Sequence, residues 1–168
     1  SEIDTERNEV EKPVKLKLIT EEKIKDSLIQ EINASTKTDS IKIGMFYLSD
    51  RNVIKSLISA SKRGVNIKII LDPNKDAFGR KKKGIPNRPV AYELMKKSKE
   101  NIQIKWYSTN GEQFHSKIIL FESISKENTV ILGSANLTKR NIGNKNLEMN
   151  ILLKARHDSA PISEIHNY

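Results

Sequence analysis

The chain has 168 residues, no cysteine and an apolar fraction of 36%, a length that fits one domain with a usable hydrophobic core. Without cysteine it has no disulfide framework, no thiolate catalysis and no cysteine-ligated zinc or iron–sulfur site. Its apolar runs are far shorter than the roughly 20 residues that span a bilayer, so we expect no transmembrane helix.

The net charge of +9 is concentrated in the middle of the chain. Residues 51–99 carry 14 basic and three acidic residues, whereas the flanking thirds are close to neutral. A field of this sign attracts phosphate-bearing partners, either nucleic acid or an anionic phospholipid surface, through the basic segment 75–88. A solvated lysine-rich loop that only aids solubility is the alternative.

Hydrophobic periodicity divides the chain into segments with strand-like and helix-like spacing. In chain order these are a flexible leader (1–12), a strand (Val14–Ile19), a helix capped by Thr20, a strand (Ile41–Leu48), a helix capped by Ser49 or Asp50 that ends at Lys62-Arg63-Gly64, a strand (Val65–Leu71), a polar loop (Asp72–Arg88), a helix (Pro89–Lys99), four strands (Ile102–Tyr107, Phe114–Phe121, Thr129–Leu132 and Leu147–Leu153) and an irregular tail (155–168).

The order of these elements predicts the fold class. Strand–helix–strand spacing in the first half favours parallel pairing through right-handed crossovers. We therefore predict one α/β domain over residues 13–154, with a mixed, largely parallel sheet of about six or seven strands flanked by helices. Trp106 is expected in the core, and Tyr107 either in the core or at a pocket mouth.

Two residues with basic side chains stand close together in the second half. His115 and Lys117 are two positions apart on a predicted strand, so both side chains leave the same face. Two cation-capable groups side by side repel one another unless an anion lies between them. Taken alone, the pair could also be a core histidine and an edge-strand lysine.

Neutral hydrogen-bond donors and a carboxylate follow along the chain. Gly133 ends a buried-looking strand and permits close backbone approach, while Ser134 and Asn136 offer donors to oxygen ligands. Glu148, on another predicted strand, could hold a histidine nitrogen and fix its tautomer. With the histidine and lysine, these residues make a phosphate cradle that has a candidate nucleophile.

The complete pattern is HxK at 115–117, an acidic residue at Glu122, GSxN at 133–136 and the later Glu148. It resembles the phospholipase D superfamily over roughly Val14 to Leu153. The segment 72–89 is similar to that of bacterial phospholipase D-like proteins. The resemblance implies an α-β-α sandwich and a bacterial cytoplasmic or membrane-associated location.

What the resemblance implies for chemistry is a two-step displacement at phosphorus through a covalent phosphohistidine. His115 would be the nucleophile, and Lys117, Ser134 and Asn136 would hold the non-bridging oxygens. Glu148 would orient and polarise His115. The resemblance implies no metal and no cofactor.

The sequence departs from the family pattern around the acidic position and in the number of HxK motifs. Glu122 stands where the family usually has Asp, and 123–128 lengthens the gap before Gly133. More important, there is one HxK motif, whereas the reaction needs two facing histidines. The partner is therefore a second half-site, supplied either by a homodimer with a twofold axis or by the other half of a tandem enzyme.

Three functions follow from these observations. The leading one is phospholipase D-type hydrolysis or head-group transfer on glycerophospholipids. The alternative is a metal-independent endonuclease of the same superfamily, which the positive charge of residues 51–99 favours. The third is a non-catalytic half-site module that binds phosphate without turning it over.

Overall fold

The computed structural model describes residues 14–77, 80–81, 83–98 and 100–167; the predicted leader, 1–12, lies outside these residues. Nine strands and five helices are found in this part of the chain. In order they are β1 (Lys15–Thr20), α1 (Glu22–Ala34), β2 (Ser40–Met45), α2 (Arg51–Lys62), β3 (Asn66–Leu71), β4 (Asp76–Ala77), β5 (Arg80–Lys81), α3 (Asn87–Lys97), β6 (Ile102–Trp106), β7 (Lys117–Glu122), β8 (Asn128–Gly133), α4 (Lys139–Ile142), β9 (Met149–Ala155) and α5 (Ala160–Asn167).

Seven strands form one mixed sheet in the order β1-β9-β8-β7-β2-β3-β6, and β4 and β5 form a separate ribbon. This confirms the predicted α/β class with about seven strands. The prediction of a largely parallel sheet was wrong, because β2 pairs in parallel with β3 and β3 with β6, whereas the other four pairs are antiparallel. The parallel neighbours are joined by crossover connections that contain a helix. Strands β7, β8 and β9 are consecutive neighbours, and the chain reverses direction between them, so they pair antiparallel.

Helices α1, α2 and α3 cover one face of the sheet and enclose the main core. Each helix contributes apolar residues at three- and four-residue spacing, such as Ile24, Leu28 and Ile32 on α1. Asp50 caps α2 as predicted, accepting hydrogen bonds from the backbone N–H groups of Asn52 and Val53.

A smaller apolar cluster lies on the opposite face, where α5 packs through Ile162 and Ile165 against Leu120, Val130 and Ala155. The predicted irregular tail, 155–168, was wrong, because β9 includes Ala155 and α5 follows it. Two apolar residues three positions apart are enough to seat a short helix on a sheet but too few to give a clear sequence signal. No helix among the described residues is long and apolar enough to cross a membrane.

The sheet topology brings the ends of several strands to one edge. Strands β2 and β8 end there and β7 and β9 begin there, with Met45 opposite Lys117 and Gly133 opposite Asn150. Strands β3 and β6 run parallel to β2 and end at the same edge. Residues far apart in sequence therefore meet at this edge.

Candidate active site

His115 and Lys117 lie at the edge where β7 begins. The predicted strand 114–121 starts at Lys117 instead, so His115 lies in the loop before it. The Nζ of Lys117 is 3.0 Å from Nδ1 of His115 and donates to the carbonyl oxygen of His115 over 2.7 Å. Lys117 is only 9% exposed, so one member of the pair is a buried side chain.

The surroundings keep the His115 imidazole neutral. Partial burial lowers its pKa below the ordinary value of 6.5, the positive charge of Lys117 lowers it further, and the Asp72 carboxylate opposes both effects. Burial also lowers the pKa of Lys117, against the attraction of the Glu148 carboxylate. A neutral imidazole keeps a lone pair, which is what a nucleophile needs.

Phe46, which follows β2, forms the inner wall of the site. Its ring centroid is 4.8 Å from that of His115, and the Nζ of Lys117 is 5.6 Å from its centroid. Its backbone N–H donates to the carbonyl oxygen of Ser116 and so ties the end of β2 to the histidine loop. The sequence did not predict this role of Phe46, because an apolar residue at the end of a strand is typical of the hydrophobic core.

Glu148 is 8% exposed and both of its oxygens accept hydrogen bonds. The hydroxyl of Ser134 donates over 2.5 Å and the side-chain amide of Asn141 over 2.6 Å. In the described part of one chain, Glu148 therefore holds Ser134 and Asn141 rather than a nitrogen of His115. The hydroxyl proton of Ser134 points at this carboxylate, so its predicted donation to phosphate requires that hydrogen bond to break.

The side-chain amide of Asn136 is engaged through its oxygen atom. Its Oδ1 accepts from the backbone N–H of Tyr47 over 3.1 Å, and no contact among the described residues engages its Nδ2. The carbonyl oxygen of Leu137 accepts from the backbone N–H groups of Ser49 and Asp50, which fixes the loop that carries Asn136. The role of Asn136 as a phosphate donor stays a prediction.

A buried polar network that the sequence did not reveal supports the loop before His115. Asp72 accepts from the backbone N–H of Phe114 over 2.7 Å and from the backbone and side chain of Asn74. Asn87 donates to the carbonyl oxygens of Phe46 and Asp72 and accepts from the N–H of Leu48. Asp72, Asn74 and Asn87 lie in the segment 72–89. The family resemblance of that segment was the sequence signal that could have pointed to them.

The described residues contain no group of three histidine or acidic side chains that could hold a metal ion. The polar groups that the site presents are His115, Lys117, Asn136 and the carboxylates around them. All of these come from loops and strand ends at one edge of the sheet.

Comparison with known proteins is consistent with this arrangement. The family model described as "Cardiolipin synthase, PLD-like domain" matches residues 28–167. The chain belongs to this phospholipase D-like family. It is thereby a member of the phospholipase D-like phosphodiesterase superfamily, as the motif pattern implied. The comparison with curated proteins found no match.

Solved structures share the phospholipase D-like fold. Nuc from Salmonella typhimurium, a phospholipase D family member, is 22% identical with a TM-score of 0.65, covering 92% of this chain and 91% of that one. NucT from Helicobacter pylori is 23% identical with a TM-score of 0.66, covering 93% of each. TrmBL2, an archaeal chromatin protein with a novel mode of DNA binding, is 14% identical with a TM-score of 0.55, covering 95% of this chain and 52% of that one.

The acidic position that follows HxK in phospholipase D-like sequences is structural in this chain. Glu122 accepts from the hydroxyl of Ser40 over 2.5 Å and from the Nζ of Lys42 over 3.0 Å, at the end of β7 remote from His115. Glutamate in place of the usual aspartate thus lies outside the site. The departure that bears on function is the presence of one HxK motif.

Proposed function

We propose that the protein is a metal-independent phosphodiesterase that acts through a covalent phosphohistidine on His115, with nucleic acid as its substrate. The observation that carries the proposal is the 3.0 Å contact between Nδ1 of His115 and the Nζ of the buried Lys117, in surroundings that lower the pKa of the histidine. The histidine supplies a lone pair, and the lysine supplies a positive charge for the phosphate beside it.

The first step forms a P–N bond and breaks the P–O bond to the leaving group. A lone pair of the His115 imidazole attacks phosphorus, and the leaving oxygen takes a proton from a second histidine, whose protonation is favoured by the negative charge of the bound phosphodiester. Lys117 turns from Nδ1 to a non-bridging oxygen, and Asn136 donates its Nδ2 to another. Charge that develops on these oxygens in the five-coordinate state is thereby stabilised.

The second step restores the enzyme. The second histidine, now neutral, takes a proton from water, which attacks phosphorus and breaks the P–N bond. We assign the second histidine to His115 of a second copy of the chain, related by a twofold axis. We assign to Glu148 the orientation of that second histidine, since it does not hold the histidine of its own chain.

Several observations support nucleic acid over lipid. The cationic surplus lies in residues 51–99, which contribute Lys75 and Arg88 to a groove next to the site. Phosphate contacts dominate nucleic-acid binding, so such a surplus is expected of a protein that follows a polyanion. TrmBL2, whose structure concerns DNA binding, has a similar fold.

A glycerophospholipid is the second candidate substrate, as the resemblance implied. It is favoured by the exposed apolar side chains of Leu147 and Met149 on either side of Glu148. Such side chains next to a phosphate site suit contact with acyl chains. Hydrolysis and head-group transfer share the same phosphohistidine.

The test is turnover in excess EDTA on plasmid DNA and on mixed anionic vesicles, with His115→Ala as the control. We expect DNA cleavage that resists EDTA and disappears in His115→Ala. Head-group release from vesicles without DNA cleavage would show that the substrate is a lipid rather than nucleic acid. Absence of turnover on both substrates, with unimpaired phosphate binding, would overturn the proposal in favour of a non-catalytic half-site module.

A further inference from the structure

We infer that the groove between α3 and the end of β6 binds an unpaired base of a single-stranded nucleic acid and leads the adjoining phosphate to His115. The inference rests on the proposed function and narrows its substrate class. The groove has a volume of about 640 Å³. Its lining comes from the loop after β3, from α3 and from the segment at the end of β6: Pro73, Lys75, Arg88, Ala91, Tyr92, Met95, Trp106, Tyr107, Ser108 and Thr109.

The groove has aromatic and apolar walls that the fold leaves open. Tyr92 is 69% and Met95 59% exposed, on the side of α3 away from the residues it buries. Trp106, which was expected in the core, is 43% exposed at the end of the edge strand β6. Aromatic rings presented to solvent along one groove are the platforms on which unpaired bases stack.

Cations accompany these rings. Lys75 and Arg88 line the groove, and the Nζ of Lys96 lies 5.8 Å from the centre of the Tyr92 ring. Glu93, a carboxylate of α3 that does not line the groove, is paired with Arg51 and Lys97, which lower its pKa to about 2. The groove therefore offers positive charge to phosphates next to a surface suited to bases.

The groove continues toward the candidate active site. Lys75 and Thr109 also line a neighbouring hollow that is bounded by Asp72 and Gln113. Tyr107, at the groove wall, stacks on Phe114 with ring centroids 4.7 Å apart and an angle of 17°. Because His115 follows Phe114, this wall of the groove is connected to the loop that carries the histidine.

A duplex cannot use this groove in the same way. Its bases are stacked on one another, so a protein without base flipping meets only phosphates, sugars and base edges. A single strand can place a base on Trp106 or Tyr92 and a phosphate on Lys75 or Arg88. A membrane surface would instead bury the same rings among lipid head groups, and the test below includes it.

The chain has one tryptophan, so its fluorescence reports this groove directly. The experiment titrates full-length protein carrying His115→Ala, in EDTA, with an oligo(dT) of about 12 nucleotides, a length within the range of one small binding site. A duplex of equal length and vesicles of phosphatidylglycerol and phosphatidylcholine are the other two probes. We expect oligo(dT) to quench Trp106 and to bind more tightly than the duplex at the same salt concentration.

Tyr92→Ala in the same background tests the stacking. Because Tyr92 is exposed on a helix, alanine there preserves the fold, and we expect oligo(dT) to bind about 5- to 100-fold more weakly. The control is Ile124→Ala, an exposed apolar residue in the loop between β7 and β8, which should leave the affinity unchanged.

The inference is overturned if the duplex binds and quenches as well as oligo(dT), or if vesicles alone shift the Trp106 emission. It is also overturned if Tyr92→Ala and Ile124→Ala bind equally. Hydrolysis of bis(4-nitrophenyl) phosphate by the parent protein, dependent on His115, reports the chemistry without the groove. If that hydrolysis persists while the groove test fails, the proposed phosphodiesterase stands and the groove assignment falls.

Discussion

The Nζ of Lys117 lies 3.0 Å from Nδ1 of His115, and the lysine is buried. A charged group in this position makes protonation of the imidazole unfavourable, because two positive charges would be in contact. The same positive charge attracts the phosphate group of a bound substrate. The contact therefore keeps the histidine neutral in the free protein and provides electrostatic stabilisation when substrate is bound.

This contact predicts a shifted titration. Replacing Lys117 with Met should raise the pKa of His115 toward its ordinary value, since the lysine charge lowers it. An NMR titration of the histidine ring measures the shift, and Lys55→Met, an exposed lysine on α2, is the control. An unchanged His115 pKa in Lys117→Met would show that the lysine charge does not act on the ring.

The lowered pKa also affects stability. The unfolded chain takes up the proton at a higher pH than the folded chain, so it binds more protons as the pH falls through about 6.5. The contribution of His115 to the free energy of unfolding should therefore decrease below that pH. Urea unfolding of the parent and of His115→Gln across this range measures the difference, which should be flat if the folded and unfolded pKa values are equal.

Asn136 offers a way to test phosphate binding without removing a structural contact. In Asn136→Asp, a carboxylate oxygen can still accept from the backbone N–H of Tyr47, but the Nδ2 donor is replaced by a negative charge. We expect kcat on a soluble diester to fall by about 10²- to 10³-fold, as for loss of a donor to a developing oxyanion.

Asn136→Ala is the companion variant, because it removes both the donor and the acceptor. We expect Asn136→Asp to retain the urea midpoint of the parent more closely than Asn136→Ala does. Parental kcat in Asn136→Asp would contradict the role of Nδ2 as a phosphate donor.

The Asn87 side chain predicts a stability effect at a distance from the reacting atoms. Asn87→Ala leaves the buried N–H of Leu48 and the carbonyl oxygen of Asp72 without this partner. We expect a loss of about 1–3 kcal/mol in the free energy of unfolding, measured with urea. Asn33→Ala, at an exposed position of α1, should cost far less, and equal losses would show that the Asn87 hydrogen bonds contribute nothing specific.

Local patterns were sufficient for much of the fold. Alternation located the strands to within a few residues, and Asp50 was identified as a cap because its side chain acts on the next turn. Parallel or antiparallel pairing was harder, since it depends on which strands become neighbours. The helix α5 was not predicted, because its segment is short and has two apolar residues that face the core. Their contribution depends on packing against the sheet, which the local sequence does not show.

The sequence predicts a set of candidate site residues but not the contacts among them. The HxK spacing predicts His115 and Lys117 as site residues, because the residue types and the spacing of a motif are visible in the sequence itself. Glu148 was expected to hold His115, yet it holds Ser134 and Asn141, since loop conformation decides which donor reaches a carboxylate. The support from Asp72 was missed because a buried network joins segments about 40 residues apart.

Gly133 is a position at the site where β8 leaves no room for a side chain against β9. A Cβ atom there would lie 2.4 Å from the carbonyl oxygen of Met149 and 2.5 Å from Oδ1 of Asn150. Gly133→Ala should therefore push the two strands apart and displace Ser134 from Glu148. We expect a loss of about 1–3 kcal/mol in the free energy of unfolding, as for overpacking of a close contact, together with loss of diesterase activity.

Gly111→Ala is the matched control, because Gly111 has a φ of +110° but nothing within 4 Å of its Cβ position. Backbone strain alone should cost about 1–2 kcal/mol there and leave kcat close to that of the parent. Urea unfolding and hydrolysis of a soluble diester separate the two effects. If Gly133→Ala retained parental kcat, the close approach of β8 and β9 would not be needed to hold Ser134 and Glu148 in place.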